Sequence, residues 1–187
     1  MNLTITQVSN DTELEGILAL QQQNLRKNIT AETLATQGFV TVEHTFDILK
    51  GMHNLAPSVI AKDGDKVVGY AIVMLPDSRY EVPALEGLFA AIETIDYKGK
   101  KLSDYPYSVV GQLCVGEGYR GMGLVDKMYN HFRECLEKDY EMVITDISSK
   151  NPRSMKAHQR VGYQSVSRFF DELTGEDWDS VVWDWRL

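Results

Sequence analysis

Two stretches of the 187-residue chain carry residue types and spacings that could do chemistry. The first reads VVGQLCVGEGYRGMGLVDKMYNHF (109–132). An apolar run meets Gly116, Gly118, Gly121 and Gly123, and an amphipathic stretch follows. Glycines at a strand-to-helix junction let successive main-chain amides converge on one spot, and the helix dipole adds positive potential there. A phosphate or diphosphate suits such a place. The second stretch, NPRSMKAHQRVGY (151–163), has a capping Asn151, a Pro152 suited to a first helical position and a C-cap Gly162. It carries His158, a side chain that can exchange a proton near neutral pH.

The loop can be read in three frames. Gly116, Gly118 and Gly121 spell G-x-G-x-x-G after a strand, and Asp146 ends the next strand, about where a dinucleotide fold places its ribose-binding acid. Against that reading, Gly123 would fall inside the first helical turn, where glycine costs about 1 kcal/mol. Too little chain also remains after Asp146 to complete a βαβαβ unit. A P-loop needs Gly-Lys-Ser/Thr, whereas Gly123 precedes Leu124 and Val125. The third frame begins at Arg120 and runs through Gly121, Met122, Gly123 and Leu124 to Val125.

Several elements must position these residues. LTITQVS (3–9) alternates as a strand, and Asn10 or Asp11 caps a helix with Leu14, Ile17, Leu18 and Leu25 on one face. Residues 30–57 give no clear pattern except a short helix from Asp47 to Leu55. Asp63-Gly64 turns a hairpin whose second strand spans 66–75. A helical pattern covers 83–95, with Pro83 near its start. Residues 106–115 form a strand leading into the glycines. Val125, Met128, Tyr129, Phe132, Cys135 and Leu136 share a helical face. Strands follow at 141–148, 163–170 and 179–187. Hairpins and crossovers together require a mixed sheet of about seven strands flanked by helices.

The frame starting at Arg120 resembles R/Q-x-x-G-x-G/A, the acyl-CoA loop of the GNAT superfamily of N-acetyltransferases. Leu113-Cys114-Val115 matches the family's L-x-V strand. Residues 151–163 match N-x-x-A-x-x-x-Y-x-x-x-G-F at Asn151, Ser154, His158, Gly162 and Tyr163. The resemblance covers nearly the whole chain and implies one α/β domain, 1–187. Its sheet would be mixed and mostly antiparallel, with strands splayed at the cofactor site and a helical insertion at about 77–105. Three departures stand out: Val125 replaces a small residue, His158 replaces a frequent tyrosine, and the insertion is long.

The resemblance also implies the chemistry. Acetyl-CoA is the acyl donor, and Leu113, Cys114 and Val115 pair with its pantetheine arm. Arg120, Gly121, Met122, Gly123, Leu124 and Val125 hold its diphosphate, and Asn151 and Ser154 flank it. An amine, on a small molecule or a protein, attacks directly through a tetrahedral intermediate, and a strand N–H near Cys114 or Val115 stabilises the oxyanion. His158 is the expected proton donor to the thiolate. The base is open among Tyr107, Asp104, Glu86 and Asp146, with Tyr107 favoured because it lies on the strand leading to the site. Cys114 reads as a buried strand residue and not as a nucleophile. Lys150, Arg153, Lys156 and Arg160 read as a solvated cationic face. The insertion's apolar face (Leu85, Leu88, Phe89, Ile92) either covers the acceptor pocket, packs on the sheet or meets another subunit, which leaves a homodimer open.

Composition bounds these expectations. A hydrophobic fraction of 43% and a charged fraction of 25% are those of an ordinary globular domain. A net charge of −8 argues against general nucleic-acid affinity and requires local groups to hold any anion. No run is long enough to cross a membrane, the N-terminus lacks a signal-peptide pattern, and two cysteines fit no metal spacing. A cytoplasmic location and no metal are the expectations that follow. A non-catalytic acyl-CoA sensor is the alternative to an enzyme.

Overall fold

The computed structural model describes residues 1–81, 86–172 and 174–187. Seven strands form one sheet in the order β1-β2-β3-β6-β7-β9-β8. They are β1 (Leu3–Gln7), β2 (Val59–Asp63), β3 (Lys66–Met74), β6 (Tyr107–Val115), β7 (Met142–Ser148), β8 (Gln164–Asp171) and β9 (Glu176–Asp184). All neighbours are antiparallel except β6 and β7. The expected mixed, mostly antiparallel sheet is thus what the chain forms. A two-residue pair, β4 (Asp96–Tyr97) with β5 (Lys100–Lys101), stands apart from it.

Helices cover both faces. α1 (Asp11–Asn24), α3 (Phe46–Leu55) and α5 (Glu86–Thr94) bury Leu14, Ile17, Leu49, Met52, Phe89 and Ile92 against Ile60, Tyr70 and Ile72. α6 (Leu124–Leu136) packs Leu124, Met128, Phe132 and Leu136 on the other face, against Ala61, Val68, Val143 and Val181. Beside it lies α7 (Pro152–Val161), with Met155 and Val161 packed on the same core. Two shorter α-helices are α2 (Ala31–Thr36) and α4 (Ser78–Glu81). Among the described residues no helix is long and apolar enough to cross a membrane.

Local chemistry sets several boundaries. Asn10 caps α1 by accepting from the Glu13 N–H at 3.0 Å, and Glu13 reaches back to the Ser9 N–H at 2.7 Å, a reciprocal cap. α1 ends at Asn24, so Leu25 is buried beyond the helix and not on its face. Within residues 30–57 the expected helix from Asp47 to Leu55 is α3, and the part without a pattern in the sequence holds α2 and an extended strap (37–45).

The insertion packs on the sheet. Phe89, Ile92, Leu102 and Tyr105 are buried in the core, and Lys98 pairs with Asp184 at 3.0 Å. Its described helix runs Glu86–Thr94. The expected start at Pro83, and Leu85 on its apolar face, lie outside the described residues.

Candidate active site

The glycine loop delivers free amides to one place. Gly121 and Gly123 have φ of +81° and +70°, a region closed to most side chains, and Gly123 is the N-cap of α6. The first intrahelical bond runs from the Lys127 N–H to the Gly123 carbonyl at 3.1 Å, which leaves the N–H groups of Leu124, Val125 and Asp126 without intrahelical partners. A cavity of about 420 Å³ lies before them. Its walls include Leu113, Cys114, Val115, Gly121, Gly123 and Val125. A Cβ built on Gly121 or Gly123 would meet nothing within 4 Å, so the space beside the loop is open. Val125 both lines the cavity and packs on the core under α6, so its extra bulk is accommodated there. Met122 is exposed and does not line the cavity. Arg120 lines it, but its guanidinium is engaged, donating to the Val115 carbonyl at 3.2 Å and to Asn24 Oδ1 at 2.7 Å. It ties the loop to the end of β6 and the last turn of α1.

The strand before the loop is open along one edge. β6 pairs with β7 only at Tyr107–Met142, Ser108–Val143 and Val109–Ile144. Thr145 then donates its hydroxyl to the Val110 carbonyl at 2.8 Å, and the strands part. A register shift against β3 bulges β6 at the same point: Ala71 faces Leu113 whereas Val73 faces Val110, so β6 carries one extra residue. The Gly116 N–H bonds to the Val68 carbonyl on β3 at 2.8 Å. Strand alternation therefore turns the Cys114 amide toward β3 and the amides of Leu113 and Val115 into the gap. The Val115 carbonyl, reached by Arg120, faces the same way. Of the amides at Cys114 and Val115, only that of Val115 faces the gap. The Cys114 thiol is buried and pushed up to about 12 by burial, so it is no nucleophile at neutral pH.

A second cavity of about 80 Å³ occupies the split itself, between β6 and β7. Gln112, Thr145, Asp146, Ser154, His158 and Trp178 are among its walls. Loss of hydration raises the Asp146 carboxyl above the ordinary range, although Ser180 opposes this by donating to Oδ1 at 2.7 Å. Of the four base candidates, Asp146 is the one that lines either of these two cavities. Tyr107 lies in the core at the paired end of β6 and is raised to about 12 by burial, and it borders neither cavity. Asp104 accepts the Lys101 N–H at 3.1 Å, and Glu86 binds the Arg79 guanidinium at 2.9 Å, both within the insertion.

α7 shows why His158 differs from its expected role. Asn151 caps the helix, accepting the Ser154 N–H at 3.2 Å, while its Nδ2 donates to the Phe39 carbonyl at 3.0 Å. His158 is almost fully buried. Its Nδ1 lies 2.8 Å from the Ser154 carbonyl, which can only accept, so Nδ1 carries the proton. Nε2 then accepts from the Tyr129 hydroxyl at 2.6 Å. Burial lowers the ring to about 4, against which the Ser154 contact works weakly. The imidazole is neutral near pH 7 with both nitrogens engaged, and it holds no spare acidic proton for a thiolate.

A model of the Acetyltransferase (GNAT) family matches residues 27–163. The chain belongs to this family. Membership makes it an acyltransferase, and the solved structures it resembles carry the same fold. One is a chain of the NatC complex bound to Gag peptide and CoA, with TM-score 0.69 and 12% identity over 98% of this chain and 99% of that one. Another is YncA, a putative acetyltransferase from Salmonella typhimurium with its cofactor acetyl-CoA, with TM-score 0.63 and 12% identity over 99% and 95%. Ard1 from Thermoplasma volcanium gives TM-score 0.65 and 13% identity over 97% of each chain. A search of curated proteins finds no match.

This acetyltransferase has one part of its site that sequence reasoning missed. The strap (37–45) walls both cavities with Phe39 and Val40. Val40 donates to the Asn24 carbonyl at 3.0 Å and accepts from the Arg26 N–H at 2.9 Å. The Arg26 guanidinium lies 5.1 Å from the Phe39 ring and pairs with Glu176 at 2.9 Å. Glu176 is buried, yet bonds from Ser148, Arg26 and Lys150 hold its carboxyl below the usual range. Lys150 is thus part of an ion-pair cluster and Arg160 binds Asp126 at 2.9 Å, and Arg153, Lys156 and Arg160 all border the larger cavity. No periodicity marks the strap, because long-range bonds hold it. Among the described residues no group of three His, Cys, Asp or Glu side chains could hold a metal ion.

Proposed function

We propose that this chain transfers an acetyl group from acetyl-CoA to a primary amine. The observation that carries the reading is the unpaired half of β6, whose outward amides at Leu113 and Val115 run directly into the amide-rich start of α6. The residues fit the donor. A diphosphate matches the N–H groups from Gly121 to Val125, and a pantetheine arm matches a strand edge that lacks its neighbour. Acetyl-CoA supplies the activated acyl group. Leu113 and Val115 orient it and offer N–H groups to a carbonyl oxygen that gains charge.

Asp146 accepts the proton that the attacking ammonium must lose, and the second proton that the nitrogen sheds as the tetrahedral intermediate collapses goes to the departing thiolate. It stands beside the split, on the strand facing the thioester edge of β6, and its raised carboxyl is a stronger base than an ordinary aspartate. In this reading His158 supports α7 and keeps Ser154 at the wall shared by both cavities, and Tyr107 is a core residue. The names of the relatives agree with the donor: two of them are described with CoA or acetyl-CoA, and one with a peptide.

The test is thiol release from acetyl-CoA across a panel of amines: alkyl diamines, aromatic amines and short peptides with free N-termini. Amine-dependent release with acetylated product in the mass spectrum is expected. Calorimetric binding of acetyl-CoA without release for any amine would instead make the chain an acyl-CoA-binding sensor.

A further inference from the structure

Four polar side chains lie buried beneath the strap, where apolar groups would pack at lower cost. They are Gln21 on α1, Tyr70 on β3, His44 on the strap and Gln112 at the bulge of β6. Each is bonded to the next. The Tyr70 hydroxyl donates to Gln112 Oε1 at 2.6 Å, and Gln21 Nε2 donates to the same oxygen at 2.9 Å. Gln21 Nε2 also lies 2.8 Å from His44 Nδ1, while Gln21 Oε1 accepts the His44 backbone N–H at 2.9 Å. Gln112 Nε2 donates to the Val42 carbonyl at 2.8 Å.

The orientations are fixed. A carbonyl only accepts and a backbone N–H only donates, so each glutamine amide has a single setting. His44 Nδ1 must then accept, which keeps its ring neutral. A satisfied buried network admits one geometry and resists drift. This one grips the strap at two residues, Val42 and His44. It is anchored on the bulge that opens the split, and Gln112 itself lines the smaller cavity.

We propose that Gln112 is a positioning residue for the amine acceptor, clamping the strap to the β6 bulge and so fixing the width of the cleft where the amine enters. The inference rests on the acetyl-transfer reading above for the identity of the occupant. The clamp itself is a matter of the strap alone.

The test uses the full chain with Gln112→Met and Gln21→Met. Gln21 borders neither cavity, so its variant breaks the clamp without altering the wall. Hydrogen exchange followed by mass spectrometry should rise about tenfold at residues 41–44 in both variants and stay unchanged in β3, the size expected for one lost network bond. With the amine that the wild type turns over best, acceptor KM should rise about tenfold in Gln21→Met while calorimetric affinity for acetyl-CoA stays within about twofold. Gln21→Glu keeps the acceptor for the His44 N–H and loses a donor, and it replaces any methionine variant that does not fold. Strap exchange equal to wild type, or lower stability with acceptor KM unmoved, would overturn the proposal. If no amine is turned over, the acetyl-transfer reading fails, and the strap exchange still decides whether the clamp exists.

Discussion

The two halves of β6 have similar sequences and opposite circumstances. Tyr107–Val109 is paired to β7 throughout, with Val109 also facing Met74 of β3, and its side chains are buried. Leu113–Val115 is paired to β3 alone and faces a cavity. Each stretch holds one valine and at least one other large side chain, Tyr107 or Leu113, so composition does not separate binding surface from structure. The separation comes from β7, which leaves after Ile144, and from the bulge that turns β6 at the same level. A strand can be structure at one end and binding surface at the other, and its partner decides which.

The sharpest way to break this contrast is to exchange a side chain on each side of it. Asp146→Asn should lower kcat about 10²–10⁴-fold, the range for a lost general base, with calorimetric affinity for acetyl-CoA intact. Tyr107→Phe should leave kcat within about twofold. The raised Asp146 carboxyl adds a pH signature. The base works only when deprotonated, so the rate should climb with pH through a midpoint above the ordinary aspartate value of about 3.9, and the asparagine variant should lose that limb. Equal losses at both positions would erase the distinction between the halves.

A smaller effect sharpens the role of the loop. Gly121→Val places a β-branched residue at φ +81°, where nothing crowds its Cβ. The strain of about 1–3 kcal/mol should push the loop out of shape and weaken acetyl-CoA binding by about 5- to 150-fold, read by calorimetry. Unchanged affinity would mean that the loop amides do not hold the ligand.

The smallest effect concerns the buried imidazoles beside the open half. His44 and His158 are both lowered from 6.5 to about 4 by burial. The fold therefore favours their neutral forms. Their contribution to stability is complete above pH 6.5 and is lost as pH falls toward 4, with a ceiling of roughly 3 kcal/mol each. Urea midpoints should drop across that window, and His44→Gln should flatten the slope. A midpoint independent of pH would contradict the neutral assignment.

Much of this was legible in the sequence wherever the cause is local. Asn151 and Gly162 announced α7 through cap chemistry, and Asp63-Gly64 announced its hairpin. The glycines at 121 and 123 announced a left-handed bend at a helix start. What stayed hidden depends on distant partners. Tyr107 drew attention because it precedes the site along the chain, but the length of the β6–β7 ladder is set by residues 35 positions away. Asp146 was only one of four carboxyl or phenol candidates until that ladder was known to stop. The neutrality of His158 comes from burial among distant partners, such as Tyr129, 29 residues earlier, whose hydroxyl lies on Nε2. The strap has no period because its bonds lead to α1, β6 and α7 and not to itself. The insertion showed its apolar face in the sequence, and only the fold shows that this face looks into the core.

The central claim is that the open half of β6 and the adjoining loop form one surface for acetyl-CoA. Titrating the ¹⁵N-labelled chain with acetyl-CoA tests it most directly. The amide resonances of Leu113, Val115 and Gly121–Val125 should move together and saturate at one equivalent, while those of Tyr107–Val109 stay in place. Still resonances at Leu113 and Val115, or shifts centred on the paired half, would contradict the account.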